Sequence, residues 1–140
     1  MPSRERGLLD TSVVLMLEQL EPDTLPREAA ISAVTLAELA AGPHATEDLA
    51  ERARRQDRLQ RVETVFEPIP VGTAVARAYG RIYAAVRAAG RQARGRRAFD
   101  LLIAATALAE GVPLYTANQD DFTDVAGLVE IVPVPARPVR

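Results

Sequence analysis

The sequence predicts an α/β fold: a central, mainly parallel sheet of four to five strands covered by helices on both faces. Short apolar runs such as "GLLD", "AAISAV" and "VEIVPVP" alternate with longer stretches whose apolar residues recur every three to four positions. Gly and Pro punctuate most of the junctions between them. The third observation is bulk composition: 140 residues, 48% hydrophobic and 26% charged, predict one globular domain over residues 1–140, fraying from about residue 135.

Taken in order, "RGLLD" (6–10) ends a first strand, and Ser12 is placed to cap the helix "VVLMLEQL". "AAISAV" (29–34) reads as the second strand, and "TLAELAAG" as a helix stopped by Gly42 and Pro43. From Thr46 to Phe66 a longer helix carries Leu49, Ala53, Leu59, Val62 and Phe66 on one face. Its other face pairs Asp48 with Arg52, Glu51 with Arg55 and Asp57 with Arg61, each four apart. "EPIPV" (67–71) is a short strand whose prolines suit a sheet edge. Val75, Tyr79, Ile82 and Val86 mark a helix closing at Gly90. After the arginine arm "RQARGRR" (91–97), a helix runs from Asp100 to Gly111, followed by the strand "VPLYTAN", a polar loop and the last strand "VEIVPVP".

Composition removes whole classes of chemistry. There is no cysteine, hence no disulfide framework and no Cys-based zinc site. All 17 basic residues are arginine, which excludes a P-loop lysine and a Schiff base. No apolar run approaches the roughly 18 residues of a membrane span, and a cytoplasmic setting is expected. The net charge of −2 conceals segregation: residues 1–50 carry 3 Arg against 9 acids, residues 51–97 carry 12 against 4, and residues 98–140 carry 2 against 6. Acidic ends around a basic middle fit a metal site beside a polyanion surface.

In a parallel α/β sheet, ligands bind beyond the carboxyl ends of the strands. Asp10 ends strand one, Glu38 lies in the first turn after strand two, and Asn118, Asp120 and Asp121 follow the strand ending at Thr116. Asp100 heads a helix that returns antiparallel to the strands and so starts at the same edge. Each acid also has a purely structural reading. Asp100 suits an N-cap worth ~1 kcal/mol, and Thr35-x-x-Glu38 fits a capping box. Asp10 suits a strand-to-helix turn, and Asp120 or Asp121 the opening of a turn. Gathered at one rim, however, four like charges repel, and a divalent cation relieves that cost. An all-oxygen, carboxylate-rich set suits Mg²⁺ or Mn²⁺.

The strings "LLDTSVV", "SAVTLAELAAG", "FDLLIAATALAEG" and "LYTANQDDF", in this order, resemble the motifs of PIN-domain ribonucleases, VapC-type toxins in particular. The resemblance spans about Gly7 to Val134 and implies a PIN-like three-layer fold. It implies that Asp10, Glu38 and Asp100 form the metal site, with Asp121 as the more variable fourth acid. Thr11, Thr116 and Asn118 match polar groups that line it, and Asp120 is a supporting neighbour and not a matched position. A departure is Ala117, where such proteins often carry a basic residue.

The implied function is Mg²⁺- or Mn²⁺-dependent endoribonuclease activity, leaving 5′-phosphate and 3′-hydroxyl ends, as the toxin of a VapBC-type toxin–antitoxin pair. Asp10 and Asp100 would ligate directly, while Glu38 and Asp121 complete the sphere, hold water or act as general base. Arg91, Arg94, Arg96 and Arg97 are candidates for gripping RNA phosphates. The resemblance also implies a VapB-type antitoxin over the acidic groove and a homodimer. The alternative is a PIN-like module that binds RNA or a partner without cutting. A haloacid-dehalogenase-like phosphatase is excluded, since Asp10-Thr11-Ser12 lacks the second Asp and the chain lacks lysine.

Overall fold

A computed structural model describes residues 5–135, so the frayed tail expected beyond them lies outside the described residues. Four strands form one parallel sheet in the order β2-β1-β3-β4. They are β1 Arg6–Leu9, β2 Glu28–Ile31, β3 Leu114–Thr116 and β4 Ile131–Pro133. From β1 the chain builds β2 on one side and β3 with β4 on the other. The strand order therefore reverses between β1 and β3, the place where a parallel sheet opens a crevice at its carboxyl edge.

Side chains alternate across the sheet. Leu8 and Leu114 point to one face and pack with Val75, Ile82 and Val86 of helix α4 (Thr73–Ala88) and Leu101 and Ala105 of helix α5 (Arg96–Glu110). Leu9, Ile31 and Tyr115 point to the other, against Val13 of α1 (Thr11–Val14), Leu39 of α2 (Ala33–Ala41) and Val62 of α3 (Leu49–Val65). These two cores make the three layers. Gly7 is required by the second one: a Cβ there would lie 2.5 Å from a ring carbon of Tyr115. No helix among the described residues is long and apolar enough to cross a membrane.

Several elements depart from the expected boundaries. Asp10, not Ser12, caps α1, its carboxylate accepting the Val13 amide at 3.2 Å. The α-helix there lasts only four residues and gives way to a 3-10 turn over Leu17–Gln19. Strand two stops at Ile31 because the Ser32 hydroxyl accepts the Val34 amide and opens α2 two residues early. Helix α3 starts at Leu49 under an Asp48 cap, and Leu49 and Ala53 of its expected apolar face are exposed.

Of the three pairs expected on the other face, only Glu51–Arg55 forms among the described residues. Asp48 is spent on the cap, Arg52 donates to the Pro43 and Thr46 carbonyls, and Arg61 reaches Glu18. The "EPIPV" strand is reduced to one bridge, Ser32 to Ile69, in keeping with prolines that cannot donate to a ladder. Helix α5 begins at Arg96, so Arg96 and Arg97 are helical and not part of a flexible arm.

Candidate active site

At the carboxyl edge between β1 and β3, the Asp10 amide donates to the Tyr115 carbonyl at 3.0 Å, fixing the first acid beside the end of β3. One carboxylate oxygen accepts the Ser12 hydroxyl at 2.5 Å and the Val13 amide; the other accepts the Thr116 hydroxyl at 2.6 Å. Asp10 is 4% exposed. Burial pushes its carboxyl above the usual range, against the opposing pull of the Ser12, Thr116 and Val13 bonds. Thr116 also accepts the Asn118 amide at 2.9 Å, ordering the loop that leads to Asp120 and Asp121.

Glu38 is the sixth residue of α2, and Ser32, not Thr35, caps that helix. The capping-box reading therefore fails, and Glu38 is held instead by the Thr11 hydroxyl, which donates to it at 2.5 Å. Thr11 lies 3.0 Å from the Thr35 hydroxyl as well. Asp100 is the fifth residue of α5, one full turn inside, and cannot cap a helix already begun. Its carboxyl is pushed up to about 6, first by burial, then by the charges of Asp10, Glu38 and Asp121, with Arg97 pulling the other way. Asp121 stands on the 3-10 turn Gln119–Val125. Asp120, on the same turn, is exposed and is not among the charges acting on Asp100.

Four segments thus bring carboxylates into one field, Asp10 doubling as a helix cap. Among the described residues no three acidic or imidazole side chains stand as a ready-made cage around an ion. Mg²⁺ does not need one. It sheds water reluctantly and is commonly held by one or two carboxylates with waters filling an octahedron. An all-oxygen donor set in which burial raises the Asp10 carboxyl, and burial with the neighbouring acids raises that of Asp100, fits such a hydrated ion.

Comparison with known families places residues 8–128 in a match to the PIN domain. The chain belongs to the PIN-domain family. This PIN domain is 38% identical over 133 residues to Ribonuclease VapC5 of Mycobacterium tuberculosis, covering 91% of this chain and 95% of that protein. It is 42% identical over 102 residues to Ribonuclease VapC8 of the same species, covering 72% and 89%. Among solved structures it is similar to a chain of VapBC-5, from the VapBC family of toxin–antitoxin systems of Mycobacterium tuberculosis. That match has a TM-score of 0.81 at 37% identity and covers 92% of this chain and 98% of the other. VapBC2 of Rickettsia felis, solved bound to a DNA fragment from their promoter, matches with a TM-score of 0.69 at 25% identity, covering 90% and 98%.

The four arginines expected to grip phosphates are placed differently from one another in this PIN domain. Arg97 is turned inward: its Nη2 donates to both oxygens of Asp124 at 3.0 Å and its Nη1 to the Asp121 carbonyl. Arg91 lies 3.8 Å from the same Asp124. Arg94 and Arg96 are exposed. Arg96 lines a cleft of about 410 Å³ with Thr11, Glu38 and Arg58, beside the acids. Arg58 is hidden in the sequence by its setting on α3, whose arginine face reads as structural. A signal for it exists, since positions 54, 55, 61 and 62 hold no acid to pair with it.

Proposed function

We propose that this chain is a Mg²⁺- or Mn²⁺-dependent endoribonuclease, the toxin of a VapBC-type toxin–antitoxin pair, acting in the cytoplasm. The observation that carries this reading is the gathering of Asp10, Glu38, Asp100 and Asp121 from four separate segments, so that the Asp100 carboxyl is raised to about 6, first by burial and then by the other three acids. Structural carboxylates are usually paired with cations or amides, and acids that are buried and crowded together instead are typical of functional sites. The names of the relatives point the same way. A non-catalytic binding module has no comparable support, because Asp10, Glu38, Asp100 and Asp121 are all retained.

In this reading Asp10 and Asp100 would hold the ion directly, with Glu38 and Asp121 completing its surroundings. The chemistry a bound divalent cation supplies is polarisation of a phosphoryl oxygen and acidification of a water near neutral pH. The chain's own part is orientation. Ser12, Val13 and Thr116 lock Asp10 into one rotamer, and Thr11 aims Glu38. Arg58 and Arg96 give the cleft beside Glu38 the cationic lining that a phosphate backbone needs. A VapB-type antitoxin would cover the acidic rim. Exposed Leu15 and Val65, which line a cleft of about 270 Å³ with Phe66, offer it apolar purchase nearby.

The purified chain should cut RNA with Mg²⁺ or Mn²⁺ and stop when EDTA is added. The double variant Arg58→Gln/Arg96→Gln should bind RNA more weakly and lower the slope of log affinity against log salt by roughly 1 to 1.5, about 0.7 for each single-strand phosphate no longer neutralised. Cleavage indifferent to EDTA, or none with any RNA tested, contradicts the nuclease reading. An unchanged salt slope removes these arginines from the RNA path.

A further inference from the structure

The Arg97–Asp124 contact is built more firmly than a surface ion pair. The Asp124 side chain is 2% exposed and that of Arg97 15%. Two nitrogens of the guanidinium fork meet the carboxylate and the Asp121 carbonyl, while its Nε is buried with no hydrogen-bond partner among the described residues. That geometry joins two elements 27 residues apart in sequence: the first turn of α5 and the 3-10 turn after β3. Neither element has a side-chain cap at its start, since Gly95 and Asn118 make no capping bond. Arg97 stands one turn before Asp100 on α5, and the backbone it grips is that of Asp121 itself.

Taking the four acids as the cation site proposed above, we propose that Arg97 and Asp124 are a positioning pair that holds Asp121 beside Asp100. Neither residue touches the ion or the substrate. Their role is to set the separation of two carboxylates carried on separate elements, neither of which is anchored at its start by a side-chain cap. Outer partners of this kind commonly change metal affinity by about 10- to 100-fold when removed.

Charge makes the proposal testable. Arg97→Gln removes a positive charge next to the acids, which by simple electrostatics tightens cation binding. Asp124→Asn removes a negative charge and by the same logic loosens it. Loss of positioning weakens binding in both. The measurement is Mn²⁺ affinity of the RNA-free full chain by calorimetry, at a temperature where each variant's circular dichroism matches the unmodified protein.

About tenfold weaker Mn²⁺ binding in both single variants supports the pair. Binding in Arg97→Gln equal to or tighter than in the unmodified chain overturns it, whatever happens to the melting temperature. Asp124→Asn strands the largely buried Arg97, and Arg97→Gln leaves the buried Asp124 only the more distant Arg91, so the double variant Arg97→Gln/Asp124→Asn, which leaves the local net charge unchanged, covers a failure to fold. Weaker binding in it supports the pair and unchanged binding overturns it. If the unmodified chain itself binds no Mn²⁺, the cation-site reading fails and takes the positioning role with it. Normal binding there with unaltered binding in the variants removes the pair alone.

Discussion

Asp100→Asn should abolish RNA cleavage and, in the absence of divalent metal, make the folded protein more stable at pH 7. The loss of activity should exceed about 100-fold, since even residues one step removed from a metal reach that scale. The gain in stability follows from the Asp100 carboxyl, raised to about 6 from an ordinary 3.8 by burial and by Asp10, Glu38 and Asp121. Between about pH 4 and pH 6 the folded chain keeps a proton there that the unfolded chain has released. Stability in EDTA therefore falls as pH rises through that window and stays lowered above it.

The full shift corresponds to about 3 kcal/mol, and partial solvent access reduces this to roughly 1–2 kcal/mol. Asn at this position removes the share of the slope that Asp100 contributes and raises the melting temperature at pH 7 by roughly 3–8 °C. Thermal melts of both proteins in EDTA at pH 4.5 and pH 7 check this. The same difference in melting temperature between the two proteins at both pH values would show that neither burial nor the other acids raise the Asp100 carboxyl.

Phe122→Ala should cost about 3–5 kcal/mol of folding stability, the largest loss expected from one side chain. Phe122 is 1% exposed and packs into the core shared by α4 and α5. It also pins the turn that carries Asp121 on one side and Asp124 on the other. Urea unfolding should show a lower midpoint with an unchanged slope. Cleavage by the fraction still folded should fall too, because Asp121 and its anchor would lose their common support. A cost below about 1 kcal/mol would mean that the turn is held by something else.

The layer order and the rim of acids are legible because two rules act on the sequence directly. Parallel strands alternate with helices, and residues at the strands' carboxyl ends share an edge. Asp10 and Thr116 sit where those rules put them, hydrogen-bonded across β1 and β3. Helix starts are less legible. The strongest capping residue before "LLIAATALAEG" is Asp100, yet α5 begins four residues earlier after Gly95, whose φ of 61° and lack of a side-chain cap leave no Ser, Thr or Asp signal. The same competition displaces the starts of α1 and α2, where Asp10 and Ser32 cap in place of Ser12 and Thr35.

Asp124 cannot be found at all from the sequence. A carboxylate that pairs with an arginine 27 positions away leaves no local periodicity, and an acid in a polar loop reads as solvated. Arg97 consequently reads with its neighbours as part of an RNA grip, whereas burial turns it inward. Arg58 escapes for the opposite reason, its helix face being dense with charge. Tertiary partners decide these residues, and propensity does not register tertiary partners.

The shared ion is tested most directly by diffraction from crystals of the chain grown with Mn²⁺, using the metal's anomalous signal. The expected result is a peak at the crevice between β1 and β3 with carboxylate oxygens of Asp10 and Asp100 within about 2.0–2.3 Å and waters toward Glu38 and Asp121. No peak there at saturating Mn²⁺, or a peak that Asp100 does not touch, would contradict it.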